Sequence, residues 1–217
     1  MEVNANEALR YLGYRGTSAD RQTLRLLEEC AGELEEKVSP HHCFRMDPVT
    51  FFDDGTLKIG ELKIASRQLS RHLSGCREAA LFAATLGPQA DLLVQKYSAL
   101  DMTRAVMMQA CAASLIESYC DECGEMIARQ AAPRGLFLRP RFSPGYSDFP
   151  ISFQKPLLDI LDAPKRIGLT VTDSLMLAPS KSVTAVIGLT PEPQSCHIEK
   201  CAACGAEDCP FRKEPKA

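Results

Sequence analysis

The chain has 217 residues, 45% of them hydrophobic and 24% charged, with a formal net charge of −3. That balance suits one substantial core, or a core with a small appendage, and offers no basic surplus for nucleic-acid binding. No apolar run reaches the roughly eighteen residues of a membrane span, and the acidic start Met1 to Glu7 lacks a secretion signal's pattern, so a cytoplasmic protein with reduced cysteines is expected.

Leu24, Leu27, Ala31, Leu34 and Val38 recur at helical spacing and predict an amphipathic surface helix over residues 20–38, stopped before Pro40. Asp47-Pro48 and Asp53-Asp54-Gly55 read as turns. Leu57 and Ile59, then Leu62 and Ile64, alternate with polar residues about Gly60, the pattern of a short hairpin or bulged strand. Ser66 is placed to cap a helix running to about Leu73. Residues 81–87 form an apolar run ended by Gly87-Pro88, read as a buried strand.

Residues 101–130 carry the longest helical pattern, rich in Ala and Met, without Pro and with Gly only at 124. Its first half is apolar on nearly all sides, which predicts the central buried helix. Ser152 is placed to cap a further helix through Asp162, and residues 167–171, 174–177 and 182–189 are β-type. Helices and strands are grouped rather than strictly alternating. The expected fold is α+β, a central antiparallel sheet with flanking helices and one long buried helix. Pro191-Glu192-Pro193 marks a boundary between a main domain over 1–190, whose residues 1–65 form a helical and hairpin part, and a Cys-rich tail over 191–217.

Between the long helix and the β-rich segment lies Arg141-Phe-Ser-Pro-Gly145-Tyr146-Ser-Asp-Phe-Pro150. Arg offers a planar fork of donors for a carboxylate, and Tyr a ring face and a hydroxyl. Pro144 fixes φ, and Gly145 permits a sharp bend or a close approach of backbone to ligand. Such a loop suits a small zwitterion bearing a flat ring; the alternative is a structural turn whose Arg makes a surface salt bridge.

The tail carries Cys196, Cys201, Cys204 and Cys209, with Gly205 following the Cys-x-x-Cys pair. Four thiolates in that spacing suit zinc or an iron–sulfur cluster, with His197 as a substitute ligand; the alternative is a reduced tail without metal. A full thiolate set leaves no open position, so its role would be structural. Cys111, Cys120 and Cys123 on the long helix read as buried inert thiols, and His41-His42-Cys43 as a weaker ligand candidate. No Ser-His-Asp pattern, P-loop or dinucleotide fingerprint points to hydrolase or kinase machinery.

Taken in order, the 141–150 loop, residues 157–170, 172–179 and 181–188, with the earlier runs 10–15 and 73–87, resemble the activation (reactivation) domain of cobalamin-dependent methionine synthase, in its stand-alone form. The resemblance spans roughly residues 7 to 212 and implies S-adenosylmethionine binding. Arg141 matches the Arg that meets the methionine carboxylate, Tyr146 the loop Tyr, and Gly145 and Pro150 the loop pattern, while Glu122 aligns with a family Glu near the site. Ser152 stands where the larger enzymes carry His, the acidic partner of the methionine amino group has no clear equivalent beyond Asp47 or Asp53, and the terminal aromatic pair is replaced by Cys196-His197.

What the resemblance implies is an accessory protein that binds S-adenosylmethionine and supports reductive remethylation of cob(II)alamin. The cobalamin is carried by a methionine synthase lacking its own activation domain, and flavodoxin or a similar reductase supplies the electron. The alternatives are a docking protein for a corrinoid protein that has lost S-adenosylmethionine binding, and a methyltransferase acting on another corrinoid protein.

Overall fold

A computed structural model describes residues 1–14 and 19–192. Two helices come first, α1 (Ala5–Tyr11) and α2 (Arg21–Lys37). Asp20 caps α2 by accepting from the Thr23 amide, and the helix buries Leu27, Cys30 and Leu34 on the face its spacing predicts. Strands β1 (His41–Phe51), β2 (Thr56–Ile59) and β3 (Leu62–Ala65) follow, then α3 (Arg67–His72), β4 (Glu78–Thr85), α4 (Gln89–Leu100) and α5 (Met102–Ala131). The remaining elements are β5 (Phe137–Phe142), α6 (Gln154–Leu161), α7 (Ala163–Ile167), β6 (Thr170–Val171), β7 (Leu177–Ala178) and β8 (Ser182–Thr190).

Six strands form one antiparallel sheet in the order β3-β2-β1-β4-β8-β5, and β6 and β7 make a separate two-stranded ribbon. The fold is α+β, as grouped helices and strands imply. Strand β4 sits inside the sheet, and every residue from Ala79 to Thr85 is buried. Its two faces feed two cores. Ala80, Phe82 and Ala84 join α1, α2, α4 and α5 on one side. Ala79, Leu81 and Ala83 join α3, α6, α7 and the β2–β3 hairpin on the other. A strand covered on both faces has no reason to alternate, hence the unbroken apolar run. Burying a side chain such as Phe82 or Leu81 stabilises the fold by about 1.5–3 kcal/mol.

Helix α5 is the long helix of the first layer, capped by Asp101 and buried along one side from Ala105 to Ala131. Its first half is not enclosed all round: Met102 and Val106 are exposed, because α1, α2, α4 and the sheet cover only part of its circumference. No helix among the described residues is long and apolar enough to cross a membrane.

Asp47-Pro48, expected as a turn, lies inside β1. Residues 41–48 of that strand pair with β4 and residues 49–51 with β2, so Pro48 stands at the handover, where a missing N–H interrupts no ladder. The hairpin about Gly60 and the Ser66-capped α3 match expectation. Residues 151–153 form a 3-10 turn behind Pro150, and α6 starts at Gln154 with no side-chain cap, so Ser152 does not cap the helix. Ile167 ends α7 rather than opening a strand, and α4 and β5 have no counterpart in the expectation.

Candidate functional site

Strand β5 brings Arg141 to the sheet edge. Leu138 pairs with Leu189, but Arg141, not Pro140, pairs with Ile187, so a bulge adds one residue between them. The added residue inverts the side-chain alternation beyond it. Arg141 therefore shares Ile187's face, toward α5, while Phe142, opposite Val186, faces the second core.

On α5, Glu117 and Asp121 stand one turn apart and meet that guanidinium. Nη2 donates to Glu117 Oε2 and Nη1 to Asp121 Oδ1, both at 2.8 Å. The Arg141 side chain is 22% exposed, so its charge stays within reach of a ligand, and the guanidinium keeps further N–H donors. Beneath it, burial pushes the Cys120 thiol pKa well above its ordinary value; the thiol stays protonated and is not a nucleophile.

The 143–150 loop is a chain of short turns. Gly145, at φ +94°, donates its amide to Phe149 O; Tyr146 N–H reaches Ser143 O, and Phe149 N–H returns to Tyr146 O. Phe149 is buried in the second core. Asp148 ties the loop to the start of α3, accepting from the Ser66 hydroxyl at 2.5 Å and the Arg67 amide at 2.8 Å. These hydrogen bonds, the Ser66 hydroxyl first, hold the Asp148 carboxyl below the usual carboxylate range. Tyr146, held this way, is 53% exposed and packs edge-on to Phe142.

Glu117, Arg141, Pro144, Tyr146 and Gln154 line a cleft of about 170 Å³, closed on the sheet side by residues 182–184 of β8. A guanidinium, a carboxylate, an exposed aromatic ring and an amide thus converge on one concavity, a combination suited to a zwitterion with a flat group.

Residues 74–214 match the family described as vitamin B12 dependent methionine synthase, activation domain. The chain belongs to that family. The matched span contains every residue of the cleft. Among solved structures the chain is similar to the MetH reactivation domain bound to AdoHcy, with a TM-score of 0.62 and 16% identity over 89% of this chain and 78% of that one. That likeness is one of fold. No curated protein matches the chain.

Set against the activation-domain expectations, Arg141 and Tyr146 line the cleft, and Gly145 shapes the loop beside it. Arg141 itself belongs to β5, not to the loop. Pro150 opens the 3-10 turn and does not line the cleft. Glu122 faces elsewhere, its carboxylate 2.7 Å from the Met1 ammonium. Asp47 pairs with Arg45, and neither it nor Asp53 lines the cleft. His41 bonds the Ser39 carbonyl and His42 the Tyr119 hydroxyl, and among the described residues no group of three or more His, Cys, Asp or Glu could hold a metal. Cys196, His197, Cys201, Cys204 and Cys209 lie outside the described residues. The six described cysteines are buried.

Glu117 and Asp121, which hold Arg141, and Gln154, which lines the cleft, are site residues that the sequence reading missed. The signal for the first two was their i, i+4 spacing on the long helix; it marks a shared face without saying which face meets Arg141.

Proposed function

We propose that this activation-domain protein binds S-adenosylmethionine at the Arg141 cleft and supports reductive remethylation of cob(II)alamin in a cobalamin-dependent methionine synthase that lacks its own activation domain. The observation that carries this reading is the Arg141 guanidinium, presented in the cleft beside Tyr146 and steadied from behind by Glu117. Arg141 would take the methionine carboxylate through its remaining donors. The exposed Tyr146 ring would cover the flat base. Glu117 and Asp121 outnumber the one guanidinium, so the cluster carries surplus negative charge, which suits the net positive charge of the sulfonium ligand. The neighbouring fold, solved with AdoHcy, is consistent with a ligand of this class. At about 170 Å³ the cleft encloses the amino-acid end, and the rest of the ligand extends past Tyr146 toward the partner.

The partner's corrinoid would supply the chemistry: its cobalt, reduced by one electron from flavodoxin or a similar reductase, would take the sulfonium methyl and leave S-adenosylhomocysteine behind. This chain's share is to bind and orient the donor. Arg141 and Tyr146 position the ligand and move no proton. Titration calorimetry with S-adenosylmethionine should show saturable binding by the wild type and its loss in Arg141→Ala, with remethylation of the partner lost in parallel. Absence of binding by the wild type would sink this reading and favour a docking protein that has lost the ligand.

A further inference from the structure

Gln154 opens α6 and lines the cleft, yet only 9% of its surface is exposed. Its Oε1 is the one buried side-chain acceptor without a hydrogen-bond partner among the described residues. Folded proteins satisfy nearly all such atoms, and an apolar side chain of the same shape would fill the position without the cost of stripping an oxygen of water. Of the neighbouring carboxylates, Glu117 gives Oε2 and Asp121 gives Oδ1 to the Arg141 guanidinium, so both are drawn toward it, whereas Gln154 Oε1 has no such donor.

We propose that Gln154 is a ligand-binding residue of this cleft, accepting a hydrogen bond through Oε1 from the α-ammonium of the bound amino-acid moiety while Arg141 holds its carboxylate. The assignment rests on the S-adenosylmethionine reading above. The last side-chain torsion of glutamine is broad, so the amide turns its oxygen toward the cleft while the backbone stays fixed in α6. An amino acid carries ammonium and carboxylate on one carbon, and gripping both fixes the direction in which the sulfonium end points. A neutral amide does this without bringing another charge into a partly dry site.

Gln154→Met keeps the shape and removes the hydrogen bond; Gln154→Glu keeps an acceptor. Calorimetry compares both with the wild type, using S-adenosylmethionine and an analogue lacking the amino group. Gln154→Met should bind S-adenosylmethionine about tenfold or more weakly, bind the analogue as the wild type does, and melt no lower than the wild type. Gln154→Glu should retain affinity. Unchanged affinity in Gln154→Met, or equal loss for both ligands, overturns the assignment while leaving the cleft as the S-adenosylmethionine site. A larger loss in Gln154→Glu than in Gln154→Met would instead mean that the amide donates to the carboxylate, and also overturns it. A wild type that binds neither ligand overturns both readings.

Discussion

Arg141 shows how its neighbours orient a single side chain. Two carboxylates hold its fork, but unequally: the Glu117 side chain is 39% exposed and that of Asp121 77%, so Glu117 does more of the holding. The loop that faces it is pinned by another single residue. Asp148 supplies acceptors to the first amides of α3 and to the Ser66 hydroxyl, which in turn caps Leu69 N–H. Asp148→Ala should cost about 0.5–2 kcal/mol, as lost caps do, and loosen the Tyr146 loop. The folded-state pKa of Asp148 is lowered, so its contribution is present above the ordinary aspartate value of about 3.9 and is lost as pH falls through the lower folded value. Denaturant unfolding of wild type and Asp148→Ala should therefore differ at pH 7 and converge in acid; a gap that persists at low pH refutes the charged cap.

Among the elements, β5 and β8 decide what the cleft contains. The bulge between Leu138 and Arg141 turns the guanidinium toward α5; an unbulged strand would aim it into the second core. The same strand pair needs a close approach at Gly188. A Cβ there would stand 2.6 Å from Cys76 Sγ and 2.7 Å from Leu73 Cδ2, and both residues are buried and confined. Gly188→Ala should destabilise the fold by about 1–3 kcal/mol, as overpacking does, which thermal melting would record as a fall of a few degrees. A variant that melts with the wild type would mean that β8 shifts without cost.

Across the whole molecule, the sheet separates two cores, and the cleft opens along one edge, where α5, β5, β8 and the start of α6 meet. The Cys-rich tail follows directly after β8, whose last residue is Thr190. The expectation of a metal at Cys196, Cys201, Cys204 and Cys209 is checked by elemental analysis of the full chain. Stoichiometric zinc or iron, lost in the Cys201→Ser, Cys204→Ser double variant, is the expected outcome; a wild type purified anaerobically without metal would exclude it.

The chain's own pattern carried what depends on local periodicity and on order. The 3.6-residue spacing in α2 and α5, the alternation about Gly60, the cap at Ser66 and the uninterrupted run in β4 each follow from one segment's need to bury one face or two. The ordered motifs around Arg141 and Tyr146 likewise sufficed to place the chain in its family. What only the tertiary structure decided is which distant groups meet. Glu117 and not Glu122 faces Arg141, because five residues' advance along a helix leaves the side chain pointing about 140° away from where it began, and nothing local says which side the sheet will cover. Asp47-Pro48 became strand because β4 and β2 divide β1 between them, and Gln154 became a cleft residue because α6 packs its first turn under the sheet edge. Periodicity selects a face within an element; the packing of elements separated in sequence selects that face's partners.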